Sequence, residues 1–443
     1  MTSVDEVKNY IASEFPQFGV NKQHEMVRLI YEIAKRENCP FKDVLTQEKK
    51  DDRDYEKVKT FLLKRRFPLT LKLEKNPRFS MTALNVSSEN ERDVEQQLAI
   101  LPKIFYIEEA VKNFDLTKRL KNNYPQIPQI IIKSYKDYNK LHPFNLQEYN
   151  KRTDKMFIIK ENYAFLLNCP CTSGRVSCGY NILNVGSGCS FECVYCFLQS
   201  YSNSHGVTIP ANIDDFFAVL DGIDVPTRIG TGQFTDSLIF DHITGYSKKL
   251  IGYFRHEPHL TLEFKTKSDN IRNIIEAEPA RNIVISWSLN PQNLIDGAEY
   301  FTASLEQRLN AALACQKAGY HIGFHFDPII FHEQWESEYK DVIDRIGDTF
   351  APETLSLISL GCLRMMPKQK QVIENRFPDA SILDGEFILG YDDKLRYPFE
   401  LRADIYQKMV KWIRSRNREV TVYLCMESPD MYKRIAGDLS YRF

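Results

Sequence analysis

The sequence predicts an α/β chain in which a parallel sheet with outer helices curls into a full or partial (β/α) barrel. A small α/β unit and a helical N-terminal region precede it. Three observations carry this. Beyond residue 180, short apolar runs of strand length alternate with longer amphipathic runs of helical period. Before residue 100, apolar residues recur at helical spacing. Six of the ten cysteines fall between Cys169 and Cys196, where the alternating region begins and where barrel enzymes place loops that carry chemistry.

The chain has 443 residues, room for two to four domains at roughly 100–200 residues each. We expect a helical region over residues 1–100, a small α/β unit over 101–165 and the barrel with a C-terminal extension over 166–443. Hydrophobic residues make up 43% and charged residues 26%, which is globular rather than disordered. Lys plus Arg number 58 against 59 for Asp plus Glu, so a globally basic nucleic-acid binder is excluded, though a local basic groove is not. No apolar run reaches the roughly 18 residues of a membrane span. Nothing near Met1–Tyr10 resembles a signal peptide. A cytoplasmic protein without membrane partners is expected.

In order along the chain, Val4, Val7, Ile11 and Phe15 mark a first helix, and Met26, Leu29, Ile30 and Ile33 a second. Pro68 and Pro77 frame a stretch expected to be extended, and Ser87–Asn90 reads as a linker. The basic run ending in Lys64, Arg65 and Arg66 is a solvated helix face or a nucleic-acid contact. Lys103–Ile107 and Gln129–Lys133 read as strands around a helix over Glu109–Asn122. Barrel strands are expected at Asn181–Val185, Thr227–Gly230, Thr261–Lys267, Ile283–Leu289, Ile322–Phe326, Leu355–Leu360 and Val420–Leu424. Helices are expected at Asp214–Leu220, Ile271–Glu276, Leu305–Lys317 and Asp404–Arg414.

The sharpest signal is Cys189-Ser-Phe-Glu-Cys193-Val-Tyr-Cys196, directly after the first barrel strand. One short loop with this spacing wraps three thiolates around an iron–sulfur cubane and leaves the fourth iron without a protein ligand, open to a substrate or cofactor. The competing reading is a three-cysteine zinc site completed by a histidine such as His205.

Cys-x3-Cys-x2-Cys with an aromatic before the third cysteine resembles the radical S-adenosylmethionine superfamily, whose partial barrel this chain would share. The resemblance implies a [4Fe-4S] cluster on Cys189, Cys193 and Cys196 whose open iron chelates S-adenosylmethionine. It further implies reductive cleavage to a 5′-deoxyadenosyl radical that abstracts hydrogen from a substrate. Further segments are similar to the spore photoproduct lyase family, radical enzymes that split a thymine dimer in DNA. They are Tyr106–Ala110, Leu116–Leu120, Cys196–Gln199, Asp236–Gly245, Lys265–Lys267, Ser286–Asn290, Gly323–Ile329 and Ser359–Arg364. Together they cover about residues 101–443.

By position, the resemblance places Tyr195 at the adenine, Gly230 and Gly232 at the methionine amino group, and Lys267 at the methionine carboxylate. Ser288 and Asn290 would reach the ribose, with strand-end capping as their alternative. Asp236 is carried over as a catalytic position, and Asp241 and His242 form either a functional or a structural pair. The family's hydrogen-donating cysteine aligns with Gln233, and its second tyrosine beside the third cluster cysteine aligns with Phe197. The hydrogen would then return from elsewhere.

A second set, Cys169, Cys171 and Cys178, precedes the cluster loop. It is a candidate second metal or redox site, with Cys362 or Cys425 as fourth member, or a group of packed free thiols. Expected partners are an electron donor such as a flavodoxin or ferredoxin and a DNA or nucleotide substrate. Arg364, Lys368 and Lys370 and the series Lys408, Lys411, Arg414, Arg416 and Arg418 are candidates for phosphates, the latter also reading as a solvated helix. Tyr201, Phe234, Trp287 and Phe326 are candidates for stacking on a base drawn out of a duplex, or for core. Radical chemistry on a peptide or free nucleotide, and a non-catalytic zinc-stabilised nucleic-acid-binding protein, stand as alternatives.

Overall fold

The computed structural model describes residues 3–98, 100–169, 171, 174–201 and 204–435. They fall into two compact units. One comprises the chain up to Arg92 with Ile330–Glu333 and Cys362–Ile405. The other takes Asp93–Ile329, Gln334–Gly361 and the chain from Tyr406 onward.

Strands along the chain are β1 Ile104–Glu108, β2 Gln129–Ile132, β3 Lys155–Ile159, β4 Leu166–Asn168, β5 Tyr180–Leu183 and β6 Glu192–Cys193. There follow β7 Val207–Pro210, β8 Thr227–Gly230, β9 Leu260–Thr266, β10 Ile283–Ser288, β11 Glu299–Tyr300 and β12 His321–Ile329. The last are β13 Leu355–Cys362, β14 Arg364–Met365, β15 Ile388–Leu389, β16 Leu395–Arg396 and β17 Thr421–Leu424.

The larger unit is built on an eight-stranded sheet of order β17-β13-β12-β10-β9-β8-β5-β4. Its core strands pair in parallel, and antiparallel β4 closes one edge. This is the curled half-barrel expected from strand–helix alternation, with helices between most successive strands. Ile229, Leu262, Phe264, Ile285, Trp287, Phe324 and Phe326 are buried, so the side chains that alternate with them along the strands meet across the other face. That second face is polar. Arg228 bonds Glu263 (3.0 and 2.5 Å) and Tyr423 (3.1 Å), while Glu263 also accepts from Ser286 (2.7 Å) and pairs with His325 (2.6 Å). Residues of β8, β9, β10, β12 and β17 are thereby tied into one network, which requires the sheet to curl.

The small α/β element does not end at residue 165. Its sheet has the order β2-β1-β3-β7, and β7 arrives only after the cluster loop, pairing Met156–Ile159 with Val207–Pro210. The cysteine loop is thus suspended between two sheets.

The N-terminal region is helical as expected, with helices Val4–Glu14, Val20–Glu37 and Tyr55–Arg66 around a core that includes Val7, Ile11, Met26, Ile30, Ile33, Val58 and Leu62. Two expectations fail. Pro68–Leu73 is a helix and not extended, because Pro68 occupies its first turn, where a missing N–H costs nothing, and Glu386 caps the free amides of Leu69 and Thr70 (3.1 and 2.6 Å). The boundary at residue 100 also fails, since residues 362–405 complete this unit. Arg28 pairs with Glu374 (2.7 Å), Lys370 and Arg66 pair with Glu32 (2.6 and 2.8 Å), and all five are buried or nearly so. Arg66 and Lys370 are therefore core ion-pair members rather than phosphate contacts, and Arg65 is held by Glu37 (2.6 Å).

Candidate active site at the cysteine loop

Each cluster cysteine is fixed by backbone geometry. Gly188 adopts φ +97°, a left-handed turn open to glycine, and its amide donates to the Phe234 carbonyl (2.9 Å), docking the loop against the segment after β8. Cys193 lies in β6, opposite Glu299 of β11. The Cys196 amide donates to the Cys193 carbonyl (3.0 Å), turning the third thiol back toward the second. Burial raises all three thiols, Cys189 to about 12, so a cation is needed to hold them as thiolates. Among the described residues no three His, Cys, Asp or Glu side chains converge on single-ion geometry. His205 is buried instead among the rings of Tyr138, His142 and Phe144.

Four charged residues that sequence reasoning missed build the loop's surroundings. Arg152, 3% exposed, donates to the carbonyls of Cys189 (3.0 Å), Phe191 (2.7 Å) and Tyr149 (3.2 Å) and pairs with Glu192 (3.1 Å). On the other side Glu299 pairs with Arg308 (2.6 Å) and accepts from Asn290 (2.8 Å) and the Tyr195 hydroxyl. Their one available signal was the rarity of charge beside apolar strands; the partners lie 40 and 9 residues apart in sequence and meet only in the fold.

Lys267 follows β9. Its amide donates to Asp236 (2.7 Å), its ammonium stands 5.5 Å over the Tyr195 ring, and among the described residues it has no carboxylate within ion-pair distance. The nearby charges of Glu299 and Cys193 offset burial and keep its pKa above the ordinary lysine value. A charged amine beside the cluster loop, unpaired and shelved on an aromatic ring, fits an anionic cofactor group such as the carboxylate of S-adenosylmethionine.

The other candidates distribute unevenly. Asp236 accepts from Leu238, Ile239, Thr266 and Lys267 (2.6–3.1 Å), so its two oxygens tie the turn that carries Lys267. Asn290, 2% exposed, donates to Glu299 (2.8 Å) and accepts from Tyr339 (2.6 Å). The Ser288 carbonyl accepts from Arg308 (2.9 Å). The open side of Gly230 is filled by Tyr180: an added Cβ would stand 1.8 Å from its hydroxyl. A Cβ on Gly232 would stand 2.7 Å from the Lys265 carbonyl. Close strand packing already requires both glycines.

Gln233 lies half-buried between Gly232 and Phe234 in the segment docked on Gly188. Phe197, Tyr201 and Phe234 form an aromatic ledge there, with Tyr201 stacked on Phe234 at 5.9 Å and 67% exposed. Trp287 and Phe326, both fully buried, are core. Asp241 is a structural anchor, accepting from Ser247 (2.8 and 2.5 Å) and Asn273 (2.8 Å). Lys408 pairs with Glu336 and Arg416 with Asp344 and Asp348, so that helix face is laced with carboxylates. A cleft of about 550 Å³ lined by Arg119, His242, Lys248 and Arg272 shares no residue with the cysteine loop.

With this geometry in place, the comparisons are specific. The family model described as spore photoproduct lyase matches residues 100–386. The spore photoproduct lyase of Bacillus subtilis (strain 168) is 25% identical over 332 residues, 70% of this chain and 92% of that protein. That of Geobacillus sp. (strain Y412MC61) is 25% identical over 295 residues, 64% and 84% of the two chains. The solved structure of a spore photoproduct lyase complexed with dinucleoside spore photoproduct superposes with TM-score 0.65 at 23% identity, over 74% of this chain and 99% of that one. The thiol loop, the strand ends that carry its neighbours and the matched span agree, and the chain belongs to the spore photoproduct lyase family of radical S-adenosylmethionine enzymes.

Proposed function

We propose that this radical S-adenosylmethionine lyase acts on a pyrimidine lesion in DNA, the class of substrate carried by its structural relative. The observation that supports it is the ledge of exposed Tyr201 stacked on half-buried Phe234 beside the three-thiol loop, a surface on which a base taken out of the stack can lie. When bound, the [4Fe-4S] cluster and S-adenosylmethionine supply an electron and a 5′-deoxyadenosyl radical able to remove hydrogen from carbon. The chain's own residues do the rest. Cys189, Cys193 and Cys196 hold the cluster, Lys267 binds the methionine carboxylate, Tyr195 borders the adenine, and Arg152 with Glu192 keeps the loop closed against water. Gln233 carries no readily transferred hydrogen, so the product radical regains its hydrogen from a donor other than this position. The electron comes from a donor such as a flavodoxin or ferredoxin.

Reduced enzyme incubated with a ring-deuterated thymine dinucleotide lesion is expected to move deuterium into 5′-deoxyadenosine and to release repaired dinucleotide. Cofactor cleavage without transfer or repair would sink the substrate reading. Cys193→Ala should abolish cofactor cleavage altogether, and retained cleavage would overturn the cluster assignment.

A further inference from the structure

The 550 Å³ cleft is not used by the chemistry of the cysteine loop. It lies between helix Asp115–Asn123 of the small α/β element and helices Tyr246–Phe254 and Arg272–Ile275 of the half-barrel. Its walls continue the segments that build the active site. The stretch after β8 carries Phe234 of the aromatic ledge, then Asp236 on the amide of Lys267, then His242 and Thr244 in the cleft wall. The stretch after β9 carries Lys267 and, three residues on, Asn270, which lines the cleft and donates to the Leu238 carbonyl (2.8 Å). Three residues of chain span at most about 11 Å. Because β5, β8 and β9 run parallel, the cleft sits at the same carboxyl end of the sheet as the cysteine loop that follows β5.

Its charge is unbalanced. Arg119, Lys248, Lys249 and Arg272 line it against two carboxylates, Asp115 and Glu276. Glu276 serves both Lys248 and Arg272 (2.9 Å to the arginine), and Asp115 stands 3.7 Å from Lys249. His242 adds no charge, since burial lowers its imidazole below the ordinary value. Arg119 has no carboxylate within ion-pair distance among the described residues. Its Nε donates to the Ile243 carbonyl (2.8 Å) and one Nη to that of His242 (3.3 Å). The guanidinium lies over Gly245, where a Cβ would stand 3.4 Å from its central carbon. The other Nη has no hydrogen-bond partner among the described residues. A planar cation held by two backbone bonds, with donors unspent, is pre-organised for an oxyanion such as phosphate.

We propose that this cleft binds a backbone phosphate of the DNA strand flanking the lesion, with Arg119 as its principal ligand and Lys248 and Lys249 on its rim. The inference rests on the DNA reading of the substrate. A strand whose damaged base lies on the Tyr201–Phe234 ledge continues past it, and the segment from Phe234 to Gly245 leads from that ledge to the cations. Charge complementarity selects the occupant, because a phosphodiester carries the negative charge that the cleft lacks. The cleft then holds the strand while the cysteine loop performs the chemistry.

The test compares the parent holoenzyme with Arg119→Gln. Each is titrated by fluorescence anisotropy with a duplex oligonucleotide carrying one lesion, over a range of salt concentrations. Each is also assayed for repair of a dinucleoside lesion, which has no flanking phosphate. The variant should bind the oligonucleotide about tenfold more weakly, and its dependence of log affinity on log salt should be shallower by about 0.9. Its turnover of the dinucleoside should match the parent's. Thr244→Glu, which sets a carboxylate in the cleft wall, should weaken oligonucleotide binding at least as much. If Arg119→Gln fails to fold, the exposed Lys249→Gln takes its place, with a smaller loss of affinity and a shallower salt dependence. Unchanged oligonucleotide affinity and salt dependence would overturn the site, as would an equal loss on the dinucleoside. Competition by inorganic phosphate at concentrations matching the oligonucleotide would mark a small-anion pocket and overturn it too. Failure of the parent to repair the dinucleoside would instead sink the lesion reading, and the anisotropy titrations would still decide whether the cleft binds DNA.

Discussion

Arg152→Met tests how the cysteine loop is held. The guanidinium makes three bonds to backbone carbonyls, of Tyr149, Cys189 and Phe191, and two to Glu192, and neither side chain is more than 4% exposed. Removing one partner of a buried pair costs about 3–5 kcal/mol. At about 1.4 kcal/mol per tenfold, loop opening should rise by roughly two to four orders of magnitude. Local opening exposes the cluster to solvent, so the readout is the rate at which a ferrous chelator bleaches the reconstituted protein under native anaerobic conditions. Arg152→Met should bleach at least a hundredfold faster than the parent, if opening limits the reaction. The double variant with Glu192→Gln should recover part of the difference, since the stranded charge is gone. A single variant that bleaches within about threefold of the parent would refute the argument that this buried pair orders the loop.

Other outcomes follow from the same geometry. Lys267→Met should weaken S-adenosylmethionine binding by about ten- to a hundredfold, the worth of one charge-assisted bond, measured by titration of the reduced cluster; unchanged affinity would place the carboxylate elsewhere. Gly232→Ala sets a methyl 2.7 Å from the Lys265 carbonyl and should destabilise by about 1–3 kcal/mol, seen as an earlier thermal transition. Burial lowers His325 from 6.5 to about 4, so the native chain holds it neutral while the unfolded chain takes up a proton. Its contribution is therefore complete above about pH 6.5 and is lost as pH falls toward 4. His325→Gln should flatten the stability profile across that window, and parallel profiles would contradict the assignment.

Much of the chemistry was legible from local sequence. The Cys189–Cys196 spacing, strand–helix alternation and helical periodicity are short-range signals, and each depends on residues within a few positions of one another. Most barrel strands accordingly lie within one or two residues of their expected ends; β12 runs longer, and β7, which completes the small sheet, went unread. What the sequence alone did not reveal depends on long-range pairing. Only the fold shows that Asp236 is bonded to Lys267 and Thr266, and Asn290 to Glu299 and Tyr339.

By itself, then, the sequence determined the elements and the thiol loop, because backbone propensity and ligand spacing act over a few residues. The tertiary structure alone decided which charges guard that loop and which strand completes the small sheet. Burial and ion pairing are properties of surfaces brought together by folding, and distance along the chain carries no record of them.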